Sequence, residues 1–270
     1  AGYIGSVLVP KLLNKGYQVT VIDNLMYKHA ALLECCNNKL FDFVKGDICD
    51  YKLMSELLPK FDIIIPLAAI VGLPACSVNP LQTKSVNQEA HQYMVNNISS
   101  EQMVLFPATQ SGYGIGEKES YCSEESPLNP ISSYGVTKVE IEKKFLEKGN
   151  AVTFRLATVF GMSQRMRIDL LVNDFTYRAF KDGTLVIFEE HFRRNYLHVH
   201  DAAGVFCFAI DNFDRMKGQP FNVGLSTANL TKRELCDKIK EHFPKFNAIT
   251  AKIGEDPDKR DYLVSNEKLE

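Results

Sequence analysis

No apolar run in this sequence is long enough to cross a bilayer. The most apolar stretch, Ile63-Ile64-Ile65-Pro66-Leu67-Ala68-Ala69-Ile70, has eight residues. A spanning helix needs about 20, so the stretch suits a buried strand. A Cys-x-x-Cys pair is also missing. The seven cysteines are an odd number, and adjacent Cys35-Cys36 has no metal-ligand spacing. Free thiols in a reducing cytoplasm are therefore expected, with no bound metal. Neither sign of charge is in excess: 31 Lys and Arg against 33 Asp and Glu leave a net charge of −2. That balance argues against nucleic acid or an anionic membrane as a partner. No signal-peptide pattern, internal repeat or low-complexity segment is visible. What remains is a 270-residue chain, 45% hydrophobic and 24% charged. It is long enough to bury a sizeable core as one large domain or two smaller ones.

The chain opens on glycines. Gly2-Tyr3-Ile4-Gly5 leads into a helical pattern, Val7 to Leu13, which ends at Lys15-Gly16. Gln18 to Asn24 then reads as a strand ending in Asp23. Glycine turn, helix, strand and terminal acid, in that order, describe a dinucleotide-binding unit. Gly2 would let the backbone approach a pyrophosphate, and Gly5 would let helix and strand pack closely. A loop before an ordinary helix carries the same glycines. Asp23 sharpens the reading, because a carboxylate there accepts hydrogen bonds from the adenosine ribose and repels a 2′-phosphate. NAD is thereby favoured over NADP.

Strand and helix patterns keep alternating. Phe41 to Val44, Ile63 to Ile65, Met103 to Phe106 and Val152 to Leu156 read as strands; residues 52–59 and Gln88 to Asn97 read as helices. The fold class is α/β, a Rossmann-like doubly wound parallel sheet. Ligands of such sheets lie beyond the carboxyl ends of the strands, where Asp23, Asp47, Ala68, Thr109 and Thr158 all fall. Ahead of the last of these strands comes Ser132-Ser133-Tyr134-Gly135-Val136-Thr137-Lys138, at the start of a helical pattern. The spacing sets Tyr134 and Lys138 on one helix face. An ammonium beside a phenol favours the phenolate, so the tyrosine pKa should fall and the phenol should act as a base. Past residue 162 the pattern becomes looser. Leu170 to Phe180 reads as a helix, and Thr231 with Glu234 forms a capping box for a helix over Lys232 to Phe243.

These pieces together resemble the extended short-chain dehydrogenase/reductase family, in its NAD-dependent epimerase/dehydratase branch acting on nucleotide sugars. The resemblance rests on Gly2 to Gly5, Val21 to Leu25, Gly46-Asp47-Ile48, Leu67-Ala68-Ala69, Val86-Asn87, Thr109 with Tyr113-Gly114, Tyr134 with Lys138, Arg155 to Gly161, and Arg194 to Val199. It implies that the family's first strand and a C-terminal helical tail lie outside the sequence, as in a fragment or trimmed chain. It further implies that Tyr134 takes a sugar hydroxyl proton, that Lys138 holds the nicotinamide ribose and that Thr109 hydrogen-bonds the reacting oxygen. The cofactor NAD would meet Gly2, Tyr3, Ile4, Asp23, Asn24, Asp47, Ile48, Leu67, Ala68, Ala69 and Asn87, together with Tyr134 and Lys138. Asn173, Arg194 and Arg260 would meet the pyrophosphate of a nucleotide-sugar substrate. A smaller, interleaved C-terminal substrate domain is implied, with 1–162 and 196–224 binding NAD, and 163–195 and 225–270 binding substrate. A homodimer through the helices after residues 87 and 133 follows from the same likeness.

Departures narrow the chemistry. Where 4,6-dehydratases of the family carry an Asp-Glu pair after the threonine, this chain has Gln110 and Ser111, so elimination of water is disfavoured. Thr158 stands where many epimerases carry Asn. The runs 111–118 and 166–175 are most similar to GDP-heptose 4-dehydrogenases of bacterial capsule pathways. Three functions stay open: oxidation at C4 with release of a keto sugar, 4-epimerisation with hydride return, and a non-catalytic binding or assembly role on the same fold.

Overall fold

The structure is a computed structural model and describes residues 1–117, 120–251, 253–256 and 258–270. Lys118, which ends one of the runs noted above, lies outside the described residues. The centre is a parallel four-stranded sheet in the order Gln219–Val223, Ala151–Leu156, Met103–Thr109, Ile63–Ile64. A second parallel pair, Val19–Asp23 with Phe41–Lys45, lies alongside. The two middle strands are buried almost throughout, as expected when helices cover both faces. Helices Gly5–Asn14 and Val199–Asp211 pack on one face, in a cluster that includes Leu8, Leu105, Phe154 and Phe206. Helix Ser133–Lys148 covers the other, where Ile141 and Phe145 meet Val104 and Phe106.

Several elements differ from the sequence reading. The strand expected over Met103 to Phe106 runs on through Pro107 to Thr109. Proline is tolerated because the neighbouring strand Ile63–Ile64 pairs only with Met103 and Val104 and has ended before it. The helix expected from Gln88 begins at Pro80 instead. Asn79 caps it, its Oδ1 accepting from Gln82 N at 3.1 Å, and proline fits the first helical position. It passes through a π-helical stretch, Ser85–Ala90, before His91–Asn97.

The C-terminal region forms smaller sheets. Thr158–Phe160 runs parallel to Arg193–His198, which pairs antiparallel with Asn229–Thr231. Period-two alternation makes Arg193–His198 a bridge: Tyr196 enters a third cluster with Leu185, Leu235 and Ile239, while Leu197 enters the first. Leu263–Val264 pairs with Tyr121–Cys122. Gly116 N also donates to Asp261 O at 2.8 Å. These contacts carry the 258–262 segment back over the sheet ends.

Helix Ser133–Lys148 owes its position to a buried ion pair. Glu142 Oε1 accepts from Arg155 Nε at 3.0 Å and from Thr153 Oγ1 at 2.9 Å, tying helix to strand. Arg155 Nη1 also donates to the Tyr113 hydroxyl, at 3.1 Å. Removing one partner leaves an uncompensated buried charge, which is strongly destabilising. Glu142→Ala is therefore expected to lower the unfolding free energy by about 3–5 kcal/mol in urea denaturation. A loss under about 1 kcal/mol, the range of exposed pairs, would contradict this placement.

Candidate active site

The carboxyl ends of the strands open into one cleft of about 560 Å³. Gly2, Tyr3, Ile4, Asp23, Asn24, Asp47, Ile48 and Leu67-Ala68-Ala69 line one part of it, and Thr109, Tyr134 and Lys138 another. A Cβ built on Gly2 would meet nothing within 4 Å, so the backbone there faces open space. Ser6 N donates to Gly2 O at 2.9 Å, and Val7 N and Leu8 N donate to Ile4 O at 3.0 and 2.9 Å, so what the turn offers an anion is the positive end of the helix dipole. A Cβ on Gly5 would meet Leu67 Cδ1 at 3.5 Å, an ordinary contact, so the close packing expected there does not demand glycine. Asp23 Oδ1 accepts from Leu25 N at 2.7 Å, and Oδ2 from the Ala1 amino group at 2.8 Å. Asp47 accepts from Cys49 N and from Asn24 Nδ2, both at 2.9 Å. Chiefly the Cys49 amide holds its carboxyl below the usual range. An open glycine turn, a strand-end carboxylate and a small-residue strand end together fit a dinucleotide.

Asn87 is not part of the cleft lining. Its side chain clamps the strand end from behind, Oδ1 accepting from Ile70 N and Nδ2 donating to Ile70 O, both at 2.8 Å.

Ser132 caps the helix that carries the central pair, accepting from Gly135 N at 3.1 Å. Gly135 is small for a reason: a Cβ there would meet Pro130 Cβ at 2.9 Å and Ser111 O at 3.2 Å. The close approach sets Tyr134 against the turn after Thr109, whose side chain favours the ionised phenol. Thr109 Oγ1 in turn contacts Ser111 Oγ at 3.0 Å. Lys138 Nζ donates to Pro107 O at 2.9 Å and lies 4.6 Å above the centre of the Phe106 ring.

The electrostatics depart from the simple reading of a phenol lowered by its lysine. Burial pushes the Tyr134 phenol up to about 12, and nearby Cys76 adds to the rise. The charges that oppose this are Arg260 and Arg167. Lys138 is itself pushed down to about 7 by burial. A desolvated ammonium that titrates near neutrality is a weak source of field for its neighbour.

The three residues expected at a substrate pyrophosphate separate. Arg194 is fully buried, donating to Arg193 O at 2.8 Å, to Asp258 O at 3.2 Å and to Arg260 O. It fixes the 258–260 backbone and does not line the cleft. Asn173 also lies behind the lining: Nδ2 donates to Tyr3 Oη at 3.2 Å, and Oδ1 accepts from Gly161 N at 2.9 Å. Arg260 alone reaches the cleft, and it reaches the reacting end, donating to Ser111 Oγ. Asp258 grips the same guanidinium, accepting from Nε at 2.7 Å.

Four neighbours of the site went unnoticed in the sequence. Arg165 and Arg167 line the cleft from the loop after Thr158–Phe160. Two arginines in a loop carry no local signal of function. Cys76 lies behind the Tyr134–Lys138 pair, its thiol 3.4 Å from Ile70 O. His91 is fully buried, with Nδ1 2.9 Å from Val86 O and Nε2 lacking a partner among the described residues. Its ring meets the edge of Phe106, whose face carries Lys138. Among the described residues no group of His, Cys, Asp and Glu could hold a metal ion, and no helix is long and apolar enough to cross a membrane.

A parallel sheet with a glycine turn at one end of its cleft and a Thr–Tyr–Lys cluster at the other defines a Rossmann enzyme of the dehydrogenase type. The chain belongs to the NAD dependent epimerase/dehydratase family, whose model matches residues 1–224, and NAD is its cofactor. It is 28% identical over 309 aligned positions to a UDP-glucose 4-epimerase of Streptococcus mutans serotype c, covering 99% of this chain and 87% of that protein. Among solved structures, Pal from Bacillus thuringiensis superposes with a TM-score of 0.87 at 22% identity, over 100% of this chain and 89% of the other. The UDP-glucose 4-epimerase of Thermus thermophilus in complex with NAD gives 0.82 at 22% identity, over 100% and 89%.

Burial and the Lys138 charge push the His91 imidazole down to about 4. Its folded pKa lies below the unfolded value, so its stability contribution is complete above about pH 6.5 and is lost as pH falls towards 4. The loss is roughly 3 kcal/mol. Urea denaturation at pH 7, 5.5 and 4 should show this fall, and His91→Gln should flatten it. Equal slopes in the two proteins would contradict a buried, neutral imidazole.

Proposed function

We propose that the protein catalyses the NAD-dependent oxidation of the C4 hydroxyl of a nucleotide-linked sugar to the 4-keto sugar. The observation that carries this reading is the placement of Thr109, Tyr134 and Lys138 in one cleft with the glycine turn. Tyr134 Oη takes the hydroxyl proton, and Thr109 hydrogen-bonds the same oxygen. When bound, NAD accepts the hydride from C4. Lys138, anchored on Pro107 O, holds the nicotinamide ribose. Arg260 and Arg167 are the charges that draw the phenol towards its ionised form.

Water elimination is disfavoured by more than the identities of Gln110 and Ser111. Arg260, which donates to Ser111 in that turn, also grips the carboxylate of Asp258. Burial alone would raise it, but Arg260 and Arg194 hold it down at about 2. It is ionised at neutral pH and cannot serve as the acid.

A second reading, 4-epimerisation with hydride return to the opposite face, is favoured by relatives that carry the name UDP-glucose 4-epimerase. The likeness of the sequence runs 111–118 and 166–175 supports GDP-heptose as the substrate, so both sugars belong in the test. Residues 1–162 and 196–224 serve the cofactor; 163–195 and 225–270 serve the sugar nucleotide, with Arg194 and Asn173 holding the segments that contact it. The protein is a homodimer in this proposal. The helices ending at Asn97 and Lys148 lie side by side, Gln88 Nε2 donating to Glu140 at 2.7 Å. Leu81 and Val136 stay exposed on these helices.

Pure protein incubated with GDP-heptose and with UDP-glucose should yield either a keto carbon or an inverted C4, read by nuclear magnetic resonance. Tyr134→Phe should lower kcat by about 10²–10⁴-fold with NAD affinity unchanged. Wild-type rates from that variant would overturn the assignment of the base.

A further inference from the structure

The loop after Thr158–Phe160 is pinned to the glycine turn. Tyr3 Oη donates to Gly161 O at 2.6 Å, and Ser163 Oγ donates to Tyr3 O at 2.9 Å. Ser163 Oγ and Ser6 Oγ lie 2.8 Å apart, and Arg165 N donates to Ser6 Oγ at 3.3 Å. Asn173 closes the loop from behind, through Gly161 N and Arg167 O. The effect is to fix the backbone of Arg165 beside the first turn of helix Gly5–Asn14.

The side chain of Arg165 is unusual among the arginines lining this cleft. Arg167 is paired with Asp169, and Arg260 with Asp258. No ion pair among the described residues includes Arg165, and its Nε is buried without a partner. Its guanidinium lies instead on the face of Tyr27, 3.8 Å from the ring centre. Tyr27 comes from the loop after Asp23, on the opposite side of the cleft, and half of it is exposed. The two side chains thus meet across the cofactor end of the cleft from separate loops.

A pyrophosphate carries two negative charges, and a helix N-terminus offers only about half a positive one. A guanidinium matches phosphate oxygens with two parallel N–H donors. We propose that Arg165 is a ligand of the cofactor's pyrophosphate and that its stack on Tyr27 holds it over the dinucleotide. The proposal rests on the NAD-linked reading above and makes Arg165 an exception within residues 163–195, which otherwise serve the sugar nucleotide.

Binding can be tested without turnover, and so separately from the catalytic reading. Calorimetry with NAD, ADP, adenosine and UDP is run on the native protein and on Arg165→Ala, Arg165→Lys and Tyr27→Ala. Melting curves confirm that each variant is folded. Arg165→Ala should weaken NAD and ADP by about 10–100-fold and leave adenosine, which has no phosphate, unchanged. Arg165→Lys should recover part of the loss, and Tyr27→Ala should speed release of NADH, followed by its fluorescence. Unchanged NAD and ADP affinities would overturn the proposal. So would a loss confined to UDP, which would move Arg165 to the sugar-nucleotide phosphates.

Discussion

Glu142 sits where water does not reach, and the position of the reactive phenol depends on it. Its carboxylate binds Arg155 and Thr153 on the strand that helix Ser133–Lys148 covers. The same Arg155 reaches Tyr113 in the turn that follows Thr109. One buried charge pair thereby indexes helix, strand and turn to one another. Tyr134 and Lys138 come from the helix and Thr109 from the strand end, and Lys138 ties the two directly by donating to Pro107 O at 2.9 Å. Buried pairs of this kind contribute little net stability over an apolar substitute, yet breaking them is costly. Here the return is geometric: the Tyr134–Lys138 helix face and Thr109 from the strand end are brought into one cleft.

The cleft's electrostatics are built from loops more than from the helix. Burial lifts the phenol to about 12 even with Arg260 and Arg167 opposing the rise, and it depresses the ammonium, so the phenol is protonated at neutral pH in the free protein. Arg260 and Arg167 supply the opposing field, and each is restrained by a carboxylate. Arg260 owes its position to a chain of backbone fixings, with Arg194 buried beneath it and Leu263–Val264 paired to Tyr121–Cys122.

Much of this was legible in the sequence. Alternating apolar runs, the glycines at the start and acids or small residues at the strand ends locate the cofactor side, because a doubly wound sheet gathers its strand ends on one edge. The Tyr134–Lys138 spacing survives as geometry, since helical periodicity is local. What was not legible depends on long-range pairing. The roles of Arg194 and Arg260 turn on the pairing of Leu263–Val264 with Tyr121–Cys122, far apart in the chain, which no local pattern encodes. The lowered phenol read from its lysine failed because desolvation of both groups is a property of the packed site. Pro107 hid the length of its strand, and the Asn79-Pro80 cap concealed the start of a helix. Arg165 stood in a loop with no periodic signal at all.

In the proposed reaction a proton leaves for Tyr134 while a hydride leaves the same sugar carbon for the nicotinamide. Deuterium placed on C4 of the nucleotide sugar that the enzyme turns over follows that hydride directly. Mass spectrometry of the cofactor after a single turnover should find the label in the reduced nicotinamide, and Tyr134→Phe should abolish its appearance. Deuterium that stays on C4 while substrate is consumed, or reaches the cofactor equally well without the phenol, would contradict the account.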